Sequence, residues 1–441
     1  MKSRPTAVAA SAASRSALRL AALPLLALGA TALAQDGAVH PRVAADVARM
    51  QDAYLIGPDD AARLGCRIGW QSTVPLPSGH GLQLVYGSSE GIAALNSRNE
   101  VTFLRAATGD RAWTTSGAEP IDRVFALDIL GPLEGVPALR VAVLTESSVY
   151  VLDGENGATL RRAQVPAIPA SAPVAMDGSV IYGSRTGEVI WLQTPTGFVL
   201  KRARVDRPLP ADELYKPGEP VRGSAVRSQP AVAEGTVVAT TAAGTVAAYD
   251  ARSGRLFWTR ELLDGVSCSP AILGGITFVA SEDQYLYAFD LGSGATLWKY
   301  FTEAKLNTPP FAAGEFVFQE IPGEGFVAFT ANPENRPGGE VRWKKTGLHG
   351  RPIGSMLRGK TPCLVFWCPE GRQVTLVEMA TGDELDAIAL PKVTHLAKDG
   401  LENGGFLAWS VDGRVEYLSP ENLGAPSTSS DEAEASGRAR Q

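Results

Sequence analysis

One phrase constrains the fold more than any other feature of the chain. Tyr285–Trp298 reads YLYAFDLGSGATLW, and Thr245–Trp258 reads TVAAYDARSGRLFW. Each is an alternating strand, a turn carrying glycine, and a second strand that closes on tryptophan. A chain that repeats one hairpin is built from copies, so the period is read before any catalytic motif. Turns with the same position in the unit fall near Ser97–Glu100, Glu146–Ser148, Arg185–Gly187, Ala242–Gly244, Glu282–Gln284, Gly323–Gly325, Glu370–Arg372 and Val411–Gly413. The glycines of the following turn are Gly109, Gly157, Gly197, Gly254, Gly294, Gly339 and Gly382, a mean period of 45.5 residues between the first and the last.

That period, made of strands without helices, predicts an all-β propeller of four-stranded antiparallel blades. Labelling the strands of a blade A to D, the first set of turns joins B to C and the second joins C to D. Eight B–C turns against seven C–D turns predict that the last unit, Gly404–Leu418, lacks its own final strand. The strand-like segment 64–75, with Gly69-Trp70 at its centre, is the piece that completes it, which closes the ring and leaves no sheet edge open there. Eight blades over residues 64–420 is the expected architecture, with seven as the alternative. Ser171-Ala-Pro173, Ser228-Gln-Pro230, Cys268-Ser-Pro270 and Asn307-Thr-Pro309 open the A strands, where proline costs no central ladder bond. Blade 2 is the weakest copy and has Arg161 where other copies have tryptophan.

The ends are read differently. Lys2, Arg4, Arg15 and Arg19, the apolar run Leu18–Ala34 and the small residues Ala32-Leu33-Ala34 form a secretory signal pattern, with cleavage expected before Gln35. Export implies a periplasmic or extracellular protein with no transmembrane segment after cleavage. Losing four basic residues and no acids takes the net charge from −6 to −10, which offers no general attraction for nucleic acid. Residues 35–63 are expected to be a linker and a short amphipathic helix, in which Val43, Val47, Met50 and Tyr54 share a stripe and Gly57-Pro58 is the stop. The tail 421–441 has no apolar period and is expected to be disordered. Cys66, Cys268, Cys363 and Cys368 are too few and too scattered for a disulfide framework.

The phrase YLYAFDLGSGATLW resembles the repeat of PQQ-like β-propellers, the family of quinoprotein dehydrogenases and of BamB-like assembly factors. The resemblance is strongest in blades 4 and 5. It implies that Trp113, Trp258, Trp298 and Trp343 dock between blades and that Gly109, Gly157, Gly254, Gly294 and Gly382 are structural turn residues. The quinone enzymes carry adjacent cysteines and a calcium-binding Glu/Asn/Asp set; neither is found here. Leu64-Gly65-Cys66 lies far from the apolar run and follows Arg63, so it is not read as a lipobox.

No HExxH or clustered histidine pattern occurs. The expected function is a non-enzymatic, monomeric, protein-binding scaffold of the bacterial envelope, without cofactor, metal or catalytic residues. The alternative is a ligand-binding or quinone-dependent redox propeller working at the central channel. Between Gly197 and Gly254 the spacing stretches to 57 residues, and the excess, Arg202–Gly223, is charged and proline-rich. Arg204, Asp206, Arg207, Asp212, Glu213 and Tyr215 in that insertion are the candidate partner-binding residues.

Overall fold

In the computed structural model, residues 53–131, 138–176, 178–193, 196–205, 225–331, 338–398 and 405–421 are described. Strands β1 to β32 of this region form eight four-stranded antiparallel sheets. Seven are consecutive: 82–116, 124–164, 174–204, 231–261, 271–301, 311–345 and 351–389. The eighth joins both ends of the ring. β30 (His395–Lys398), β31 (Phe406–Trp409) and β32 (Arg414–Pro420) supply three strands, and β1 (Cys66–Thr73) pairs antiparallel with β32 as the fourth. The N-terminal strand therefore closes the propeller, as the count of turns predicts.

The opening phrase is the outer hairpin of blade 5. β20 (Tyr285–Asp290) pairs with β21 (Thr296–Phe301), with Ala288 opposite Trp298 and a bulge before Phe289. Asp290 holds the turn: its carboxylate accepts from the amide and hydroxyl of Ser293 at 2.7 and 2.6 Å. Gly294 sits at φ +68°, and a Cβ there would lie 2.5 Å from the Trp258 ring of blade 4. Both backbone conformation and space therefore demand glycine at that position.

Burial follows from stacking sheets face to face. β19 (Ile276–Ala280) and β20, in the middle of their blade, touch a neighbouring blade on each side, and all five residues of β19 are buried. The outermost strands alternate or stay open; β13 (Phe198–Arg204) is exposed along most of its length. The core is consequently a ring of interblade slabs, such as Phe278, Leu286, Val317 and Phe329 between blades 5 and 6.

Tryptophans on the outer strands of five blades clamp the slab beside them. Trp113, Trp258, Trp298 and Trp343 donate their indole N–H to the carbonyls of Gly154, Leu291, Ala331 and Met379 in the next blade, at 2.8 to 3.0 Å. Trp70 of β1 does the same to Ala106, so the closing strand carries the same clamp. Each indole buries its ring and still satisfies its one donor. Gly109, Gly157 and Gly382 lie under Trp70, Trp113 and Trp343, whereas Gly254 lies under the stem of Lys201. Blade 3 differs: the corresponding carbonyl of blade 4, Ala251 O, is instead bonded from inside by Trp191 at 2.9 Å, from β12 (Glu188–Gln193).

Two readings of local structure need correction. Arg202 to Arg204 belong to β13, with Arg204 opposite Glu188, so the insertion begins after Val205 rather than at Arg202. Gly57-Pro58 does not only stop a helix; Pro58 opens one, α1 (Pro58–Arg63). Proline in the first turn loses no intrahelical bond, and Asp59, Asp60 and Arg63 suit the two ends of the helix dipole. Ala53 is helical and Tyr54–Ile56 are bends; Val43, Val47 and Met50 of the expected stripe lie outside the described residues, as do the signal pattern and residues 422–441.

Segment 54–64 fills the seam between blades 7 and 8. In β29 (Glu384–Ala389) the tryptophan position is held by Asp386, opposite Leu376. Its carboxylate binds Arg63 of α1 at 2.6 Å and Arg358 at 3.3 Å. Leu55, Ile56, Ala61 and Leu64 are buried against Trp367, Leu376, Ile388 and Leu418. Where the repeat lacks its clamp, the chain's own N-terminal segment replaces it.

Candidate functional site

Strand direction alternates within a blade, so the B–C turns and the connections between blades share one rim, and the A–B and C–D turns share the other. On the first rim three arginines from neighbouring blades border one cleft of about 440 Å³. Arg123 stands at the entrance to β6 (Val124–Leu130), Arg185 in the B–C turn of blade 3, and Arg227 on the lead-in to blade 4. Phe125, Pro169, Ala170 and Ala225 form the remaining wall.

All three arginines are exposed. Glu146, in the B–C turn of blade 2, lies 3.7 Å from both Arg123 and Arg185 and offsets part of their charge. The Arg123 guanidinium also rests 5.3 Å from the centre of the Phe125 ring. Three guanidiniums and one carboxylate beside an aromatic and a proline make a surface suited to a carboxylate-bearing segment, since guanidinium forks pair with carboxylates in two hydrogen bonds.

Of the candidate partner-binding residues, Arg204 is described. It ends β13 exposed, its guanidinium reaches Thr186 O at 3.5 Å, and its carbonyl accepts from the Tyr249 hydroxyl at 3.4 Å. Asp206, Arg207, Asp212, Glu213 and Tyr215 lie outside the described residues. The insertion leaves from Val205, which bonds the B–C turn at Gly187 O, and returns at Ala225 in the cleft wall. Both of its ends therefore stand on the arginine rim. Arg123, Arg185 and Arg227 were missed in the sequence because they are 62 and 42 residues apart and only the ring joins them. Their shared signal is a basic residue in a B–C turn or blade lead-in of consecutive repeats.

All four cysteines are free thiols, and burial pushes Cys66 and Cys268 up to about 12. Among the described residues, no three His, Cys, Asp or Glu side chains gather as a metal site, and no helix is long and apolar enough to cross a membrane.

These features define an eight-bladed propeller of PQQ-like repeats with an arginine-bordered cleft on one rim. A family model described as "Outer membrane protein assembly factor BamB" matches residues 145–262, 177–346 and 242–393. The chain belongs to this PQQ-like, BamB-type propeller family. Curated relatives that carry the same description include proteins of Yersinia pestis, 25% identical over 47% of this chain and 53% of theirs, and of Escherichia coli (strain K12), 27% identical over 42% and 45%. That of Burkholderia pseudomallei is 24% identical over 60% and 65%. The matched stretch thus spans about half the length of the first two. Among solved structures, BamB from Moraxella catarrhalis superposes with a TM-score of 0.54 at 18% identity, covering 79% of this chain and 97% of that one. The computationally designed Ika8 protein gives 0.55 at 12% identity over 80% and 99%. At such identities the structural likeness speaks to the fold alone.

Proposed function

We propose that this chain is exported to the bacterial envelope and acts there as a non-enzymatic, monomeric docking disc in outer-membrane protein assembly. The arginine rim above blades 2 to 4 receives an acidic segment of a protein partner. One observation carries this reading: Arg123, Arg185 and Arg227 meet at a single cleft, on the rim from which the long insertion leaves and to which it returns. Family membership and the descriptions of its relatives support the assembly role. Arg204, with Asp206, Arg207, Asp212, Glu213 and Tyr215, extends the contact from the insertion.

The test places a photo-crosslinking residue at Arg227, or at Glu315 on the opposite rim, in cells of the native host. Arg227 should give a discrete crosslinked protein, and R123E/R185E should remove it. Equal crosslinking from both rims, or an unchanged product in the charge-reversed variant, would falsify the docking assignment. Export is tested separately: the mature protein should begin at Gln35, and an intact Met1 terminus in the cytoplasm would overturn it.

A further inference from the structure

Asp128 is a feature of the inner wall that blade packing does not account for. It lies in β6, opposite Ala142 of β7 (Arg140–Thr145), and is 5% exposed. Its neighbours in β6, Leu127 and Ile129, pack toward blade 1. The alternation of the strand turns Asp128 the other way, toward blade 3. There it borders a cavity of about 250 Å³ between the inner strands of the two blades. Ala126, Leu144, Val174 and Val180 give that cavity apolar walls. A second space of about 260 Å³ adjoins it and shares Tyr86, Asp128 and Ala175.

The Tyr86 hydroxyl interacts with the carboxylate, yet Asp128 Oδ2 is buried with no hydrogen-bond partner. Neither cavity has a lysine or arginine in its lining. A carboxylate in such a place is costly unless a donor or a cation joins it. An anion would be repelled. A neutral apolar molecule would leave the oxygen unpaired. A cavity of this size accommodates a short chain or a small ring, since an engineered 150 Å³ apolar cavity already holds benzene.

We propose that the space between the inner strands of blades 2 and 3 binds a small aliphatic ammonium ion, with Asp128 as counter-ion and Tyr86 beside it. The alkyl body lies against Leu144, Val174 and Val180, and the ammonium group pairs with the Asp128 carboxylate. The site is independent of the arginine rim, so either assignment can fail without the other.

The probe is n-butylammonium, compared with n-butanol, against the full mature chain. Binding is followed at neutral pH by the methyl resonances of Ala142 and Ala175. The ammonium should saturate at millimolar concentration and the alcohol should bind at least about tenfold more weakly. D128N should erase that preference, and A175L, which fills the cavity while keeping the carboxylate, should abolish binding of both. Thermal unfolding of each variant shows that it is folded. Equal binding of amine and alcohol, preference retained in D128N, or no saturable shift by about 50 mM ammonium would overturn the proposal.

Discussion

Glu416 shows how a single residue can set the pH dependence of this propeller. It is fully buried in β32, and its Oε2 accepts from the amides of Leu55 and Ile56 at 2.9 and 3.3 Å. Oε1 has no partner. Burial raises its pKa to about 7 from 4.5, against the pull of those two amides. Below pH 4.5 folded and unfolded chains both hold the proton, so the group costs nothing. As pH rises toward 7 only the folded chain keeps it, and stability falls by up to about 3 kcal/mol. E416Q should reduce that slope, most clearly between pH 6 and 7 and above the range in which Asp128 titrates, as read from urea midpoints; an unchanged slope there would assign it to another group. Trp258 makes a second prediction at this scale. W258F keeps most of the ring but loses the bond to Leu291 O and should cost about 1 kcal/mol. W258A also opens a cavity over Gly294 and should cost about 3 to 5 kcal/mol by denaturant unfolding.

At the level of the element, the repeat is a set of roles rather than of residues. The consensus suggests that K201W in blade 3 would restore a missing clamp. The structure predicts otherwise. Trp191 already bonds Ala251 O, so an indole at position 201 would find that carbonyl taken and would have to pack beside a second indole. K201W should leave the melting temperature unchanged or lower it, by overpacking of about 1 to 3 kcal/mol; a clear rise would show that the two indoles can share the site. The seam between blades 7 and 8 depends instead on segment 54–64. I56A deletes a fully buried side chain there and should cost about 2 to 5 kcal/mol, although Ile56 belongs to no strand. A much smaller loss, measured the same way, would mean that the segment is an ornament on the seam and not part of its core.

On the scale of the molecule, the pairing of β1 with β32 brings residues some 350 positions apart into one sheet. Arg67 and Ser419 are direct register partners, and the guanidinium already bonds the Ser419 hydroxyl at 3.1 Å. A disulfide from R67C/S419C would tie the ring shut and remove a very long closure from the unfolded chain. It should raise stability by up to about 5 kcal/mol, measured by comparing oxidised and reduced protein in denaturant. No gain on oxidation would indicate that the ring is not the unit that opens first.

Much of this architecture is legible in the chain because a repeat announces itself locally. The alternating strand, the glycine of the C–D turn and the tryptophan four residues after it need only a hairpin's length of sequence, and a surplus B–C turn is enough to place β1. Other features are joined only by ring closure. Arg123, Arg185 and Arg227 sit in three different repeats, and nothing along the chain marks them as neighbours. Asp128 reads as one polar residue in an apolar strand, and its cavity exists only once blade 3 stands beside it. Asp386 looks like a lost tryptophan until α1 arrives with Arg63. Sequence by itself determined the blade, the count and the family, because these follow from short-range periodicity. Tertiary structure alone decided the rim, the inner cavity and the seam, because each is made by side chains that backbone curvature brings together from distant repeats.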